Sequence, residues 1–318
     1  MKVRAALPAI LVLTLLPGCS SQEASSQDAT TRPVVVDHSV LSRILRDNVR
    51  QERVDYLNIR KRHWRRLNDY LETLAKADLG KGTRQERLAA LINLYNATMI
   101  KAVIERLHVA YSPSENRFSV FEEKLVHTRD GKISLNHLEN EIIRKRFKEP
   151  RIHVALVCGA VSCPPLLPRA YQAGDLDKVL EDGMRSFTSD ANRNRIDTKN
   201  RKLQLSQIFN WYAQDFGGKE GLKGYLKKYL RPDLSELQIS FLEYSWKLNL
   251  SRPRSSAWVQ TLGDRTSMRK DRKGKLLQTR VRKGSIFEVL FDDGEFLQVD
   301  DPLGGGKLWV DKLSVGPF

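Results

Sequence analysis

Apolar residues recur at helical spacing from Val35 to Leu79. Val40, Leu41, Ile44 and Leu45 lead one predicted helix, and Leu57, Trp64, Leu67, Tyr70, Leu71 and Leu74 another. Thr83-Arg84-Gln85-Glu86 has the spacing of a capping box and opens a long helix to about Leu107. Asn93, Asn96 and Ile100 share one face of it. Asparagine is a poor helix former, so two of them inside an apolar helix need hydrogen-bond partners. Phe118 to Ser134 reads as a hairpin turning at Asp130-Gly131, because Asp-Gly accepts the positive φ of a two-residue turn. Leu135 to Phe147 is a helix bearing Glu139 and Glu141. A helix from Leu176 to Phe187, a hairpin from Arg195 to Leu205, short helices at 207–216 and 222–229, and a strand from Leu237 to Leu242 complete this part. Helices and hairpins in mixed order predict an α+β fold over 35–250. After a boundary near Arg252 to Ser256 the period changes. Leu276 to Arg280, Ser285 to Phe291, Glu295 to Val299 and Lys307 to Leu313 are short β runs parted by glycine turns, in a second domain at 255–318.

The stretch RIHVALVCGAVSCPPLLP, Arg151 to Pro168, holds His153, Cys158 and Cys163 within eleven residues. His153 to Val157 is β-branched and near-continuously apolar and predicts a buried strand. The Gly, Ser and Pro residues after Cys158 force a loop. On a strand His153 and Cys158 would face opposite sides, so Cys163, carried round by the loop, is the better-placed nucleophile. The remaining histidines, at 38, 63, 108, 127 and 137, sit among polar residues and are expected at the surface. Trp211, Tyr212 and Phe216 have helical spacing and are expected in the core, as is Trp309.

The N-terminus changes the setting. Lys2 and Arg4 precede an apolar run from Ala5 to Leu16 and then Leu16-Pro17-Gly18-Cys19, a secretory layout too short to span a bilayer as a permanent helix. The end of that run resembles the lipobox of bacterial lipoproteins. The resemblance implies cleavage of 1–18, acylation of Cys19 and a mature chain anchored to a membrane through that residue. Ser20 and Ser21 in place of aspartate favour the outer membrane of a Gram-negative cell, and 19–34 is polar enough to act as a tether. Loss of Lys2 and Arg4 takes the formal charge from +16 to +14. On an exported chain this basic excess points to anionic envelope components instead of nucleic acid. In an oxidising compartment the two cysteines left after Cys19 suggest a Cys158–Cys163 disulfide.

Several motifs occur in a telling order: Val54-Asp55-Tyr56, Ile92 to Ala97, Arg151 to Cys158, Ser162 to Leu166, Ser206 to Tyr212, Asp215-Phe216 and Tyr244 to Asn249. Together they resemble the domain of unknown function 547 family over roughly residues 40 to 250. That family is grouped distantly with papain-like cysteine peptidases and has no established biochemical role. Asn140 stands where it often has histidine. Met268-Arg269, Val281 to Gly284, Phe287 to Leu290, Phe296 to Val299 and Gly306 to Val310 resemble a bacterial SH3-like β-barrel, a kind of domain that commonly binds cell-wall peptides or acts as a spacer.

A papain-like hydrolase needs a thiolate, an imidazole to take its proton and a third group to orient the ring, with the cysteine first in the chain on the central helix. Here that helix carries Asn93 and Asn96, and every histidine precedes Cys158, so the usual arrangement cannot be assembled. Two chemical readings stand. In one, His153 activates Cys163 or Cys158 in a rearranged dyad, oriented by Glu139 or Asn96. In the other, the scaffold lacks a nucleophile, and Asn93, Asn96, Glu139 and His153 line a cleft that binds peptide or glycan. The same groups could equally serve only buried backbone. His153, Cys158 and Cys163 as metal ligands fit no common zinc spacing. No phosphate loop, dinucleotide fingerprint or serine elbow is present, and no cofactor is expected. The expectation is an outer-membrane lipoprotein facing the periplasm. It binds or cleaves a peptide-bearing envelope component such as peptidoglycan, or else holds another envelope protein as an adaptor.

Overall fold

The helix that opens at Thr83 runs Arg84–Arg106 through the centre of the body in the computed structural model. The model describes residues 36–231, 233–251, 258–264, 266–272, 274, 276–300 and 306–318. The expected signal segment, the Cys19 anchor, the tether and the boundary near 252–256 lie outside these residues. At the helix start the Thr83 hydroxyl accepts from the Glu86 N–H, and the Glu86 carboxylate accepts from the Thr83 N–H at 2.7 Å. Two donors that a helix start leaves open are thereby satisfied. By length and composition this helix could cross a bilayer, yet Leu88 to Asn96 and most of the residues beyond are buried inside the body. An all-round apolar helix is what a core element with neighbours on every side requires.

The two predicted N-terminal helices are Ser39–Asn48 and Trp64–Lys76, which bury Leu41, Ile44 and Leu45 and Leu67, Tyr70 and Leu74. Between them Ile59–His63 is π-helical. The hairpin is shorter than expected and its turn is shifted by one residue. Val126–Thr128 pairs with Gly131–Ile133, leaving Arg129-Asp130 as the two-residue loop, and Gly131 follows at φ 125°. Phe118 to Glu122, predicted as its first strand, instead belongs to a kinked helix, Glu115–Glu122. Its Asn116, Arg117 and Phe118 take left-handed φ of 51°, 57° and 64°. Leu135–Phe147 is helical as predicted, but its middle, Leu138–Arg144, is a π-helix.

Strands Arg195–Asp197 and Lys202–Leu205 form the expected second hairpin, and Gln238–Phe241 adds parallel to Lys202–Leu205. Beneath them Met184, Phe187, Phe209, Phe216, Leu222 and Leu226 form a second core. The result is a mixed α+β body.

The C-terminal part is one curled, seven-stranded antiparallel half-barrel. Its strand order is 276–281, 266–269, 307–311, 296–300, 286–292, 258–261, 315–317. The four predicted β runs are all present, with three further strands. Met268, Phe287, Leu297, Val299 and Val310 fill its interior. Trp309, expected there, is only half-buried beside the inward-facing Val310 and meets Phe291 edge-on. The half-barrel is clamped to the body. Arg60 Nη2 donates to the Ile286 carbonyl at 2.8 Å, Lys61 pairs with the buried Glu288 at 2.5 Å, and the Val109 N–H donates to the Gly284 carbonyl at 2.9 Å. Gly284 has φ 78°, and a Cβ there would lie 3.4 Å from the Val109 nitrogen.

Candidate functional site

The segment expected as a buried strand is a 3-10 helix, Pro150–Val154, followed by a turn. Glu149 accepts from the Arg151 N–H and from its guanidinium, and Pro150 supplies a φ suited to a first helical turn, so the chain coils here. An apolar run alone does not separate a strand from a buried turn.

Asn93 and Asn96 hold the backbone on either side of the loop that follows this segment. Asn93 donates to the Tyr171 carbonyl and accepts from the Tyr171 N–H, both at 2.9 Å. Asn96 does the same with the Ala155 carbonyl and the Val157 N–H, also at 2.9 Å. Both are buried and neither lines a described cavity. Of the two roles the sequence left open for them, the structure shows the one in which they serve buried backbone. The central helix grips the loop that carries the thiols instead of supplying a thiol itself.

That loop, 158–163, is stitched to 245–249. The Val161 N–H donates to the Lys247 carbonyl, the Asn249 N–H to the Gly159 carbonyl, and the Ser245 N–H to the Ser162 hydroxyl. The buried Arg193 guanidinium donates to the carbonyls of Val161 and Cys163. Gly159 has φ 80° and faces the Tyr56 hydroxyl and Val103. Both cysteines are free thiols, with sulfurs 2.6 Å apart, beyond the length of a disulfide bond. The Cys158 N–H donates to the Cys163 sulfur at 2.8 Å, and the Tyr244 hydroxyl lies 3.2 Å from the Cys158 sulfur.

Burial raises the Cys158 thiol, but hydrogen bonds from Cys163, the Tyr244 hydroxyl and the Ala160 backbone outweigh it and hold this thiol below its ordinary range. Burial, then its contact with Cys158, push Cys163 well above that range. Cys158 is half-buried and Cys163 only 3% exposed. The strand on which Cys163 was expected to be the better-placed nucleophile does not form, and Cys158 is the more exposed of the two thiols.

His153 is held on three sides. Its Nε2 is 2.7 Å from Asp215 Oδ2, Tyr212 stacks on the ring at a centroid distance of 3.8 Å, and Phe216 packs against it at 5.6 Å. Its Nδ1 faces Glu139 at 3.9 Å, too far for a hydrogen bond. Arg144 clamps Asp215 with two bonds, Nε to Oδ2 at 2.6 Å and Nη2 to Oδ1 at 2.9 Å, and donates through Nη1 to Asn140 at 2.7 Å. Glu139 and Arg144 are five residues apart. In an α-helix that spacing would point them well away from each other, whereas i to i+5 bonding brings them to one face, so the π-helix assembles this wall.

Burial raises the Asp215 carboxyl, yet the hydrogen bonds from His153 and Arg144 and their charges hold it far below the usual carboxylate range. Its contribution to stability is complete above an unfolded pKa of about 4 and is lost as pH falls through the lower folded value. Asp215→Asn should therefore flatten the acid limb of a stability-versus-pH curve measured by urea unfolding. An acid limb identical to that of the parent would contradict the clamp.

These groups open on one cavity of about 630 Å³, lined by Cys158, Cys163, His153, Glu139, Arg144, Tyr212 and Tyr244 together with Trp211, Trp246 and Phe118. No hydrogen bond joins His153 to either sulfur among the described residues. Asp215, Arg144, Tyr244 and the aromatic mouth were not singled out as site residues from sequence, although Asp215-Phe216 and Tyr244 to Asn249 stood among the resemblance motifs. Trp211 and Tyr212, expected in the core, line the cavity, while Phe216 is core. Of the histidines expected at the surface, His38 and His63 are buried, with His38 Nδ1 2.7 Å from the Tyr70 hydroxyl. Among the described residues no three His, Cys, Asp or Glu side chains are placed to hold one metal ion.

A family model described as "Protein of unknown function, DUF547" matches residues 79–188, which supports the resemblance to that family. The matched region holds the central helix, the π-helix, His153 and both thiols, but ends before Tyr212, Asp215 and Tyr244. No curated protein and no solved structure matches the chain.

Proposed function

We propose that this chain is a thiol-dependent acyl hydrolase or transferase acting on an amide or ester of a peptide-bearing cell-envelope component such as peptidoglycan. In this reading it is anchored through Cys19 on the periplasmic side of the outer membrane. The observation that carries the reading is the one cavity lined by both Cys158, whose thiol hydrogen bonds hold below its ordinary range, and His153, which Asp215 binds from behind. His153 Nδ1 is the ring nitrogen available to the reaction, because Nε2 is committed to Asp215. The Cys158 proton passes to His153, and the thiolate attacks the carbonyl carbon. The tetrahedral intermediate expels the amine or alcohol, which takes the proton back from His153 and leaves a thioester on Cys158. Water, or an acceptor amine, then gives its proton to His153 and displaces the thiolate, which takes that proton from His153 and restores the Cys158 thiol. Asp215 orients the ring and Arg144 orients Asp215; both are positioning residues. Papain-like descent is consistent with a central helix packed against the thiol loop, and an SH3-like role for the half-barrel with its curled antiparallel sheet.

The test is incubation of the reduced protein with purified sacculi and with esterified or amidated envelope peptides, followed by mass spectrometry of the released fragments. Release by the parent and none by Cys158→Ala is expected. Retention on sacculi with no release by either protein would replace the enzyme with the adaptor reading.

A further inference from the structure

Four aromatic rings from three separate stretches of chain meet at the mouth of the cavity. Trp211 and Trp246 stack at 5.8 Å and 23°, Tyr244 lies 4.6 to 4.8 Å from both, and Phe118 meets Trp246 edge-on at 4.8 Å. Trp211 is 47% exposed and Phe118 40%, so large apolar ring faces stand open to water beside the reacting groups. Phe118 and Arg117 are held there by the left-handed turn Asn116–Phe118, a conformation unfavourable for residues with a Cβ and often kept where function requires it.

The same cavity is lined by polar side chains of a particular kind. Glu122 and Asn136 bond each other at 2.5 Å through one carboxylate oxygen and the amide nitrogen, leaving the second carboxylate oxygen and the amide oxygen as acceptors. Arg117 is exposed and makes no hydrogen bond or ion pair among the described residues, so its donors are open. Flat ring faces beside paired donors and acceptors fit a pyranose, which packs its C–H face on an indole and turns its hydroxyls to the side chains at the edge. None of the residues lining this cavity lies in a β-strand, so it offers no strand edge to which a peptide could add.

We infer that the aromatic mouth is a saccharide subsite, holding a pyranose ring of a glycan whose acyl or peptidyl substituent reaches Cys158. This rests on the thiol-acyl reading for the placement of the reacting bond, but the sugar contact itself needs no thiol. Tetra-N-acetylchitotetraose, titrated calorimetrically into the reduced protein, is the probe, with an unglycosylated envelope tetrapeptide as the second arm. Saturable binding of the tetrasaccharide is expected, weakened about tenfold or more in Trp211→Ala and largely kept in Trp211→Phe. Trp211 is surface-exposed, and circular dichroism will report whether the variants remain folded. No saturation by about 10 mM tetrasaccharide, equal affinity in Trp211→Ala, or a tetrapeptide bound as tightly through Trp211 would each overturn the inference. Turnover plays no part in the measurement. Cleavage of envelope peptides without sugar binding would remove this subsite alone, and sugar binding without thiol-dependent cleavage would leave the subsite standing without the enzyme.

Discussion

Iodoacetamide at pH 7 should label Cys158 markedly faster than Cys163, and Cys158→Ala should remove the fast phase completely. The thiolate is the reacting species, so the difference follows from the opposite displacement of the two thiols. Hydrogen bonding with Cys163, Tyr244 and the Ala160 backbone lowers Cys158, while burial and the neighbouring sulfur raise Cys163. The Tyr244 hydroxyl is itself pushed far up by burial and by the sulfurs, so it remains a donor. Tyr244→Phe should accordingly slow labelling of Cys158 and move its pH midpoint upward. Peptide-resolved mass spectrometry of the alkylated protein across pH 5 to 9 gives both rates. Equal rates at the two positions, or a faster Cys163, would remove Cys158 as nucleophile. Protein isolated under oxidising conditions that shows no fast phase until it is reduced would place the bridge suggested by the cysteine count in the resting state.

Asn96→Ala should destabilise the protein by about 2–5 kcal/mol, a large fraction of a typical domain's stability. The side chain is 3% exposed, and its removal leaves the Ala155 carbonyl and the Val157 N–H buried without partners. Asn96→Asp should cost at least as much, because it sets a carboxylate oxygen against the Ala155 carbonyl. Asn93→Ala removes an equivalent pair of bonds at Tyr171 and should be similar in size. The two differ in reach. Val157 directly precedes Cys158, so only the changes at Asn96 should also alter the labelling rate of that thiol. Urea unfolding and the alkylation assay together check this. A loss below about 1 kcal/mol for Asn96→Ala would show that the loop is held by other means.

The helical body was legible where pattern and local chemistry agreed, as at Thr83 to Glu86, whose capping box starts the central helix as predicted. The thiol loop was also located, since glycine, serine and proline interrupt an apolar run there. The coil at Pro150–Val154 was not, because apolar continuity is common to strands and buried turns, and the deciding groups, Glu149 and Pro150, lie just before it. Asn93 and Asn96 announced that partners were needed but not that these were carbonyls and N–H groups 59 to 78 residues away. Asp215 is 62 residues from His153, and no local spacing links them. The helical spacing of Trp211, Tyr212 and Phe216 suggested one buried face. Helix Gln207–Trp211 ends there and a 3-10 turn follows, so the three rings point to mouth, wall and core in turn.

The grip of Arg60 and Lys61 on Ile286 and Glu288 makes the half-barrel a fixed outrigger and not a swinging arm. Whatever the half-barrel holds is therefore kept at a constant offset from the thiol, as on a ruler. Cutting away the C-terminal strands would strip Arg60 of a buried acceptor.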